Sequence, residues 1–410
     1  MEALQETGEP HAAALRLISW YFVTPQPTDE VVEIHGGWRM RIHFLFLVLV
    51  ILIAGRTTDL FAGEVKVAGQ TEWDKTIEAA KKEGKVVAGI PASAELRKSI
   101  TESFKSRFPG IELELTTSRG PTNASKISAE HAAGVRYFDL LISGTFTPFN
   151  LLNAGILDPV EPLLILPEVQ DPKRWFGGHI WLDSSRRFLY AFQAYQSQNF
   201  WYNSALTRPE EIRSYDDLLN PKWKNKIGYL DPRSAGGGTA TWAFFLKIKG
   251  EEFLKKLAAQ DMLLSRDQRQ LGDSLTKGKV ALTIGLTYYS LAPFIKAGLP
   301  VQSLPEVKEG TYTSCGSGAL SIIKASLHPN ATKVFVNWLL SKEGQEVYGK
   351  AMGQATRRLD VETKWLTENG IRASKDFLTV EENNRLENYG EETVNNYWAR
   401  ATKIAEEVLK

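Results

Sequence analysis

The chain has a single cysteine, Cys315, in 410 residues. One thiol excludes a disulfide scaffold and every CxxC redox or zinc arrangement. In GTYTSCGSGALSII it reads as a small buried core residue. Histidine is scarce as well. Of six, three (His11, His35, His43) precede residue 64, and His131, His179 and His328 have no metal spacing and read as surface or capping residues. Net charge is small: 49 Lys and Arg against 48 Asp and Glu give a formal +1. That is far from the footprint of a nucleic-acid binder, so no nucleic-acid partner is expected. There is no GxSxG elbow, no GxxxxGK[ST] loop, no HExxH and no GxGxxG after a strand. Without such motifs the chain does not read as an enzyme, and no bound cofactor is expected.

What is present begins near residue 40. Arg39, Arg41 and His43 form a basic segment, and Phe44 to Ala54 is an unbroken apolar run of 11 residues. Ala62 and Gly63 are small residues suited to a cleavage site. This is the layout of a secretory signal peptide. The run is shorter than the about 20 residues that a bilayer demands, although an uncleaved anchor is the alternative. Met40 stands where such a signal should start. Residues 1–39 therefore read as an extension from an early start codon, and 40–63 as the signal. Residues 1–63 hold four basic and seven acidic residues. Without them 45 basic and 41 acidic residues remain, a mildly basic +4.

Beyond that point helical and strand patterns alternate, which predicts an α/β fold. EWDKTIEAAKKEGK (72–85) has an amphipathic helical period and leads into the strand KVVAGI (85–90). Ser93 is a candidate N-cap for a helix that Pro109 and Gly110 stop. IELELTTS (111–118) alternates as a strand, and FDLLISGT (138–145) reads as a buried one. Farther on, IGYL (227–230) is a strand, and DPRSAGGGT (231–239) is a glycine-rich turn that opens an apolar helix. VALTIGL (280–286) is a strand followed directly by Tyr288 and Tyr289.

Three stretches are the most telling: NPKWKNKIGYLDP (220–232), the strand with its tyrosine pair (280–289), and NWLLSKEGQEVYGK (337–350). With them, most of 72–410 resembles the type II periplasmic solute-binding proteins of ABC importers. The subgroup of ferric-ion, thiamine and phosphonate binders is the nearest. The resemblance implies a two-lobe fold with a ligand cleft between lobes joined by hinge crossovers. One lobe would comprise 64–198 plus 310–410, the other 199–309. It also implies a periplasmic or extracellular monomer that traps a small ligand by hinge closure and delivers it to a permease.

The residues offer three candidate binding elements. In the 231–239 turn, glycines let backbone N–H groups converge at a helix start. Ser234, Ala235, Gly236 and Thr239 would line it, and Arg233 could clamp an oxyanion bidentately. Alternatively, those glycines merely permit positive φ. Tyr288 and Tyr289 are hard oxygen donors suited to Fe³⁺, or else aromatic wall. On the other lobe, Ser93, Arg119, Gly120, Ser143 and Gly144 lie at carboxyl ends of strands, where open α/β sheets bind ligands.

The resemblance implies that the turn holds an anion and that the tyrosine pair grips metal. Ferric ion with a synergistic anion is thus the leading transported ligand. The first-lobe loops IPASAEL and ISGTF depart from the ferric pattern: they lack histidine, and Glu95 is the only nearby acid. Tyr190, Tyr195, Tyr202 and Tyr229 are further phenols that the sequence does not place. A small organic anion such as a phosphonate or carboxylate is the alternative. A secreted enzyme on the same scaffold is the third reading.

Overall fold

The computed structural model describes residues 68–196 and 199–409. The expected extension (1–39) and the expected signal segment (40–63) lie outside them. By its contacts the chain divides into 1–65 and 66–410, and the second unit is described here. Among the described residues no helix is long and apolar enough to cross a membrane.

The chain opens with helix α1 (Ala68–Glu83), β1 (Lys85–Ile90), α2 (Ala94–Arg107), β2 (Glu112–Thr117), α3 (Gly120–Ala132), β3 (Leu140–Ser143) and α4 (Thr147–Asn153). Short strands follow: β4 (Leu157–Asp158), β5 (Ile180–Trp181), β6 (Tyr190–Ala191), β7 (Tyr195–Gln196) and β8 (Phe200–Asn203). Next come β9 (Ile227–Leu230), α5 (Gly237–Lys249), α6 (Glu251–Ala258), β10 (Leu263–Ser265), α7 (Gln268–Thr276), β11 (Leu282–Ile284), α8 (Tyr288–Lys296) and β12 (Val301–Ser303). The chain then returns through β13 (Thr313–Ser314), β14 (Ala319–Ile323), α9 (Pro329–Leu340), α10 (Lys342–Met352) and β15 (Arg372–Ala373) to a last helix, α11 (Ala399–Val408).

These elements build a two-lobe α/β fold on two main sheets. The larger runs β2-β1-β3-β14-β6-β5, with β4 also paired to β14. The smaller runs β10-β9-β11-β8-β12. Between the strands of one lobe and those of the other, β7, β13 and β15 form a small antiparallel sheet. β7 lies on the way from the first lobe to the second and β13 on the way back, so the hinge crossovers are hydrogen-bonded to each other.

Local sequence explains the frame. In β1, Val86, Ala88 and Ile90 pack into the cluster of Phe104 and Trp338, while Val87 packs with Ile127 and Phe138. A strand covered on both faces reads as a continuous apolar run. Ser93 Oγ accepts the Leu96 N–H at 3.1 Å and starts α2. Ser341 caps α10 through the Gly344 N–H and divides the 328–353 stretch into two helices. Buried Asp139 accepts from the Val87 N–H (2.7 Å) and Ser326 Oγ (2.7 Å) and bonds the His328 ring (2.9 Å). The sheet and α9 are thereby pinned together.

The tyrosine pair departs from its expected setting. β11 ends at Ile284, Gly285 turns the chain at φ +92°, and Tyr288 and Tyr289 form the first turn of α8. The glycine turn has a packing reason too. A Cβ on Gly238 would overlap the Leu230 carbonyl oxygen, and one on Gly285 would lie 2.8 Å from the Gly238 backbone. Two glycines therefore let α5 start directly against β9 and the end of β11.

Candidate functional site

The carboxyl ends of β1, β2 and β3 face those of β9, β10 and β11 across the junction of the lobes. Three contacts bring the faces together. Arg119 Nη1 donates to the Arg266 carbonyl oxygen at 3.1 Å. Tyr289 packs against the core of the first lobe. The ring of Tyr288 covers Gly353, the left-handed residue (φ +58°) that ends α10.

On the first-lobe face, Ser93 is buried and its hydroxyl is used within its own helix. Ser118 Oγ bonds Asn123 Oδ1 at 2.7 Å, which ties the β2 end to α3. Gly120 lies against Thr147, whose Oγ1 would be 2.7 Å from an added Cβ. Ser143 is buried at the end of β3, and Gly144 sits beside Gly316 of the crossover. Thr145 Oγ1 lies 2.9 Å from Cys315 Sγ.

On the second-lobe face, Arg233 grips its own chain. Its Nε and Nη2 meet the two carboxylate oxygens of Asp231 at 2.8 and 3.1 Å, and Nη1 reaches the Leu409 carbonyl at 3.2 Å. Arg266 Nε adds a contact to Asp231 at 3.2 Å. Burial alone would raise the Asp231 pKa. Hydrogen bonds from Arg233 and Arg266 outweigh it and hold the carboxyl below its ordinary range. Thr239 is buried, and its hydroxyl lies 2.7 Å from the Ser234 carbonyl and 3.0 Å from that of Pro232. Ser234, Ala235 and Gly236 form the outer part of the turn and are partly or fully exposed.

Two of the four unplaced phenols bear on the cleft question. Tyr190 is buried against Trp175, Trp181 and His179, and its hydroxyl bonds His179 Nδ1 at 2.8 Å. Tyr195, from β7, has its hydroxyl beside Gly316. Burial raises the Tyr195 pKa well above its usual value, and the neighbouring Tyr312, Cys315 and Tyr289 raise it further. Tyr348 is likewise raised by burial and by Tyr289 and Tyr195. Burial raises the Tyr289 pKa too, and Tyr289 and Tyr348 pack in one apolar cluster. Gln268 was not singled out by its sequence. Its Oε1 accepts from the Thr287 N–H (3.0 Å), Thr287 Oγ1 (2.9 Å) and Ser290 Oγ (2.8 Å), fixing the approach to the tyrosine pair. Among the described residues no group of three or more His, Cys, Asp or Glu could hold a metal ion.

The helix starts at this junction share a property. α3 begins after Arg119, α5 after Gly236 and α8 after Thr287, each without a side-chain cap. Ser93, Asp267 and Ser341 cap their helices, and the Glu83 carboxylate takes the first-turn N–H groups of α9, while α4, α6 and α11 also start without a side-chain cap. Uncapped first turns keep donors and a positive dipole end for an anion.

Cys315 is fully buried, and burial pushes its thiol pKa up to about 11. The native thiol is therefore expected to leave a disulfide reagent at pH 8 unreacted for hours and to react within minutes in guanidinium. Fast reaction in the native protein would contradict this burial.

Comparison with known proteins agrees with this architecture. The family model described as "Bacterial extracellular solute-binding protein" matches residues 88–346. An uncharacterized protein of Haemophilus influenzae is 25% identical over 303 residues, covering 72% of this chain and 81% of its own length. A Salmonella typhimurium protein named "Putative 2-aminoethylphosphonate-binding periplasmic protein" is 29% identical over 157 residues, 36% of this chain and 45% of its own. Among solved structures, iron-bound HitA from Pseudomonas aeruginosa aligns with a TM-score of 0.59 at 19% identity, over 79% of this chain and 99% of HitA. AfuA from Actinobacillus pleuropneumoniae, with fructose-6-phosphate bound, aligns at 0.55 and 22% identity, over 77% and 98%.

Proposed function

We propose that this chain, which belongs to the bacterial extracellular solute-binding proteins, closes its two lobes on a small anionic solute and hands it to an ABC permease. Family membership implies a periplasmic or extracellular location. The solute class proposed is a phosphonate, phosphate ester or carboxylate. The observation that carries it is that helices starting at the junction, α3 and α4 on the first lobe and α5 and α8 on the second, leave their first turns without a side-chain cap. Arg119 adds a side chain that already crosses the junction. The proposed contacts are Arg119, Gly120, Ser143 and Gly144 on one face, with Ser234, Ala235, Gly236, Tyr288 and Tyr289 on the other. Ser93, Arg233 and Thr239 support their own turns instead, because their polar groups are engaged there. The names of the Salmonella relative and the AfuA complex point to the same ligand chemistry.

A second reading rests on one observation: Tyr289 and Tyr348 pack in one cluster, and the hydroxyls of Tyr348 and Tyr195 meet neighbouring residues of the return crossover, Ser317 and Gly316. Phenolates are hard donors for ferric ion. A ferric ion would have to displace their protons as it entered.

Calorimetric titration with 2-aminoethylphosphonate, fructose-6-phosphate, inorganic phosphate and citrate separates the readings. One of these anions is expected to bind one-to-one and to lose at least tenfold in affinity in Arg119→Gln. Absence of binding by all four, together with a visible charge-transfer band on adding ferric citrate, would replace this reading with the iron one. Such a band should vanish in Tyr289→Phe.

A further inference from the structure

Arg119 and Arg266 meet across the junction of the lobes. Arg119 precedes α3 on the first lobe, and its Nη1 rests on the Arg266 carbonyl oxygen at 3.1 Å. Arg266 follows β10 on the second lobe, and its Nε reaches Asp231 Oδ2 at 3.2 Å. Both residues are exposed. Among the described residues these are the only hydrogen bonds that the two guanidiniums make. Nε and Nη2 of Arg119 and both Nη groups of Arg266 therefore keep their donors.

The carboxylate within reach is already shared. Asp231 is buried, its N–H is fixed on the Ser265 carbonyl at 2.8 Å, and its two oxygens hold Arg233 Nε and Nη2. Asp267 is committed to its own helix, where Oδ1 accepts the Arg269 and Gln270 N–H groups. Glu406 acts on Arg233 from α11. Three guanidiniums are thus linked through one carboxylate, Asp231. Arg119 comes from one lobe and Arg266 from the other, so this positive excess is assembled only when the lobes meet. Like charges brought together cost free energy. A ligand favours closure only as far as it binds the closed form better. A group with two negative charges offsets the arginine pair more fully than a group with one.

We propose that Arg119 and Arg266 form a cross-lobe pair that selects a dianionic tetrahedral head group over a monoanion of the same shape. This inference rests on the anionic-solute reading above and narrows it. A phosphonate or a phosphate monoester fits, and a sulfonate, a sulfate ester or a single carboxylate is rejected. Arginine keeps its charge in proteins, and a phosphate monoester loses its second proton near pH 6. At about pH 7.5 both sides of the contact are therefore ionised.

The test is calorimetric titration at about pH 7.5 and constant ionic strength with two matched pairs. 2-Aminoethylphosphonate is set against taurine, its sulfonate counterpart, and fructose-6-phosphate against fructose-6-sulfate. In one pair the dianion should bind roughly tenfold or more tightly than its monoanionic partner, the worth of one charge-assisted hydrogen bond. Which pair shows this tells a phosphonate from a phosphate ester. Arg266→Gln should bring the two members of that pair within roughly threefold of each other. The side chain of Arg266 is 61% exposed and Asp231 keeps Arg233, so the variant should fold as the parent does. Arg269, exposed in the first turn of α7, carries the same charge and has no side-chain partner among the described residues. Arg269→Gln should keep the preference. An equal loss there would assign the preference to the general field and overturn the pair. Equal binding within both pairs, a preference that survives Arg266→Gln, or binding of citrate alone overturns the inference and leaves an anion binder. Binding of none of these anions overturns it together with the reading it rests on.

Discussion

Gly353→Ala is expected to keep the lobes from closing. Two costs fall on this residue. Its φ of +58° lies in the left-handed region, where an alanine loses about 1–2 kcal/mol. Its new methyl would also fall inside the Tyr288 ring. Gly298→Ala isolates the first cost, because Gly298 has φ +70° and nothing within 4 Å of an added Cβ. Denaturant unfolding should show Gly353→Ala less stable than Gly298→Ala by about 1–3 kcal/mol, the usual range for overpacking. Small-angle scattering should show a larger radius of gyration for Gly353→Ala alone. Equal losses and superimposable scattering curves would mean that the ring does not sit on Gly353 in solution.

Gly238→Ala should be the most damaging of the glycine changes. Its methyl would overlap a backbone carbonyl, that of Leu230, which cannot swing aside as a side chain can. A loss of about 4 kcal/mol or more is expected, at the far end of single-residue effects. For a chain of this size that lowers Tm by roughly 5 °C or more. Gly144→Ala is the comparison: its methyl would meet nothing nearer than 3.7 Å. Its stability should stay within about 0.5 kcal/mol of the parent. A Gly238→Ala protein that melts with the parent would show that α5 does not start against β9 as described.

These two glycines show what the sequence reveals and what it hides. Strands β1 and β9 were legible because both faces are buried and the runs are apolar throughout. Cap residues such as Ser93 were legible because capping is local. The helix at Tyr288 was not, since YYSLAPFIK carries an internal proline and follows a strand with only Gly285, Leu286 and Thr287 between. The three crossover strands are two residues long each, and their pairing comes from partners far away in the chain. The glycine turn was recognisable, but its sequence does not show that Asp231 occupies Arg233. Nor does it show that Gly238 is fixed by packing. Gln268 carries no local signal: it is defined by a loop 19 residues away.

The order in which the chain is made matters for the small lobe. Its core helix α5 is complete by residue 249, yet Trp398, Ala401, Ile404, Ala405 and Leu409 pack into the same apolar cluster. Leu409 also supplies the carbonyl that holds Arg233. The larger sheet waits as well, because β14 must insert between β3 and β6. The small lobe cannot finish its interior until the final helix has been synthesised, nor the larger sheet until β14 has. Contacts this distant along the chain slow folding. The last residues made are thus among those that complete the interior, and folding is expected to finish only after synthesis does.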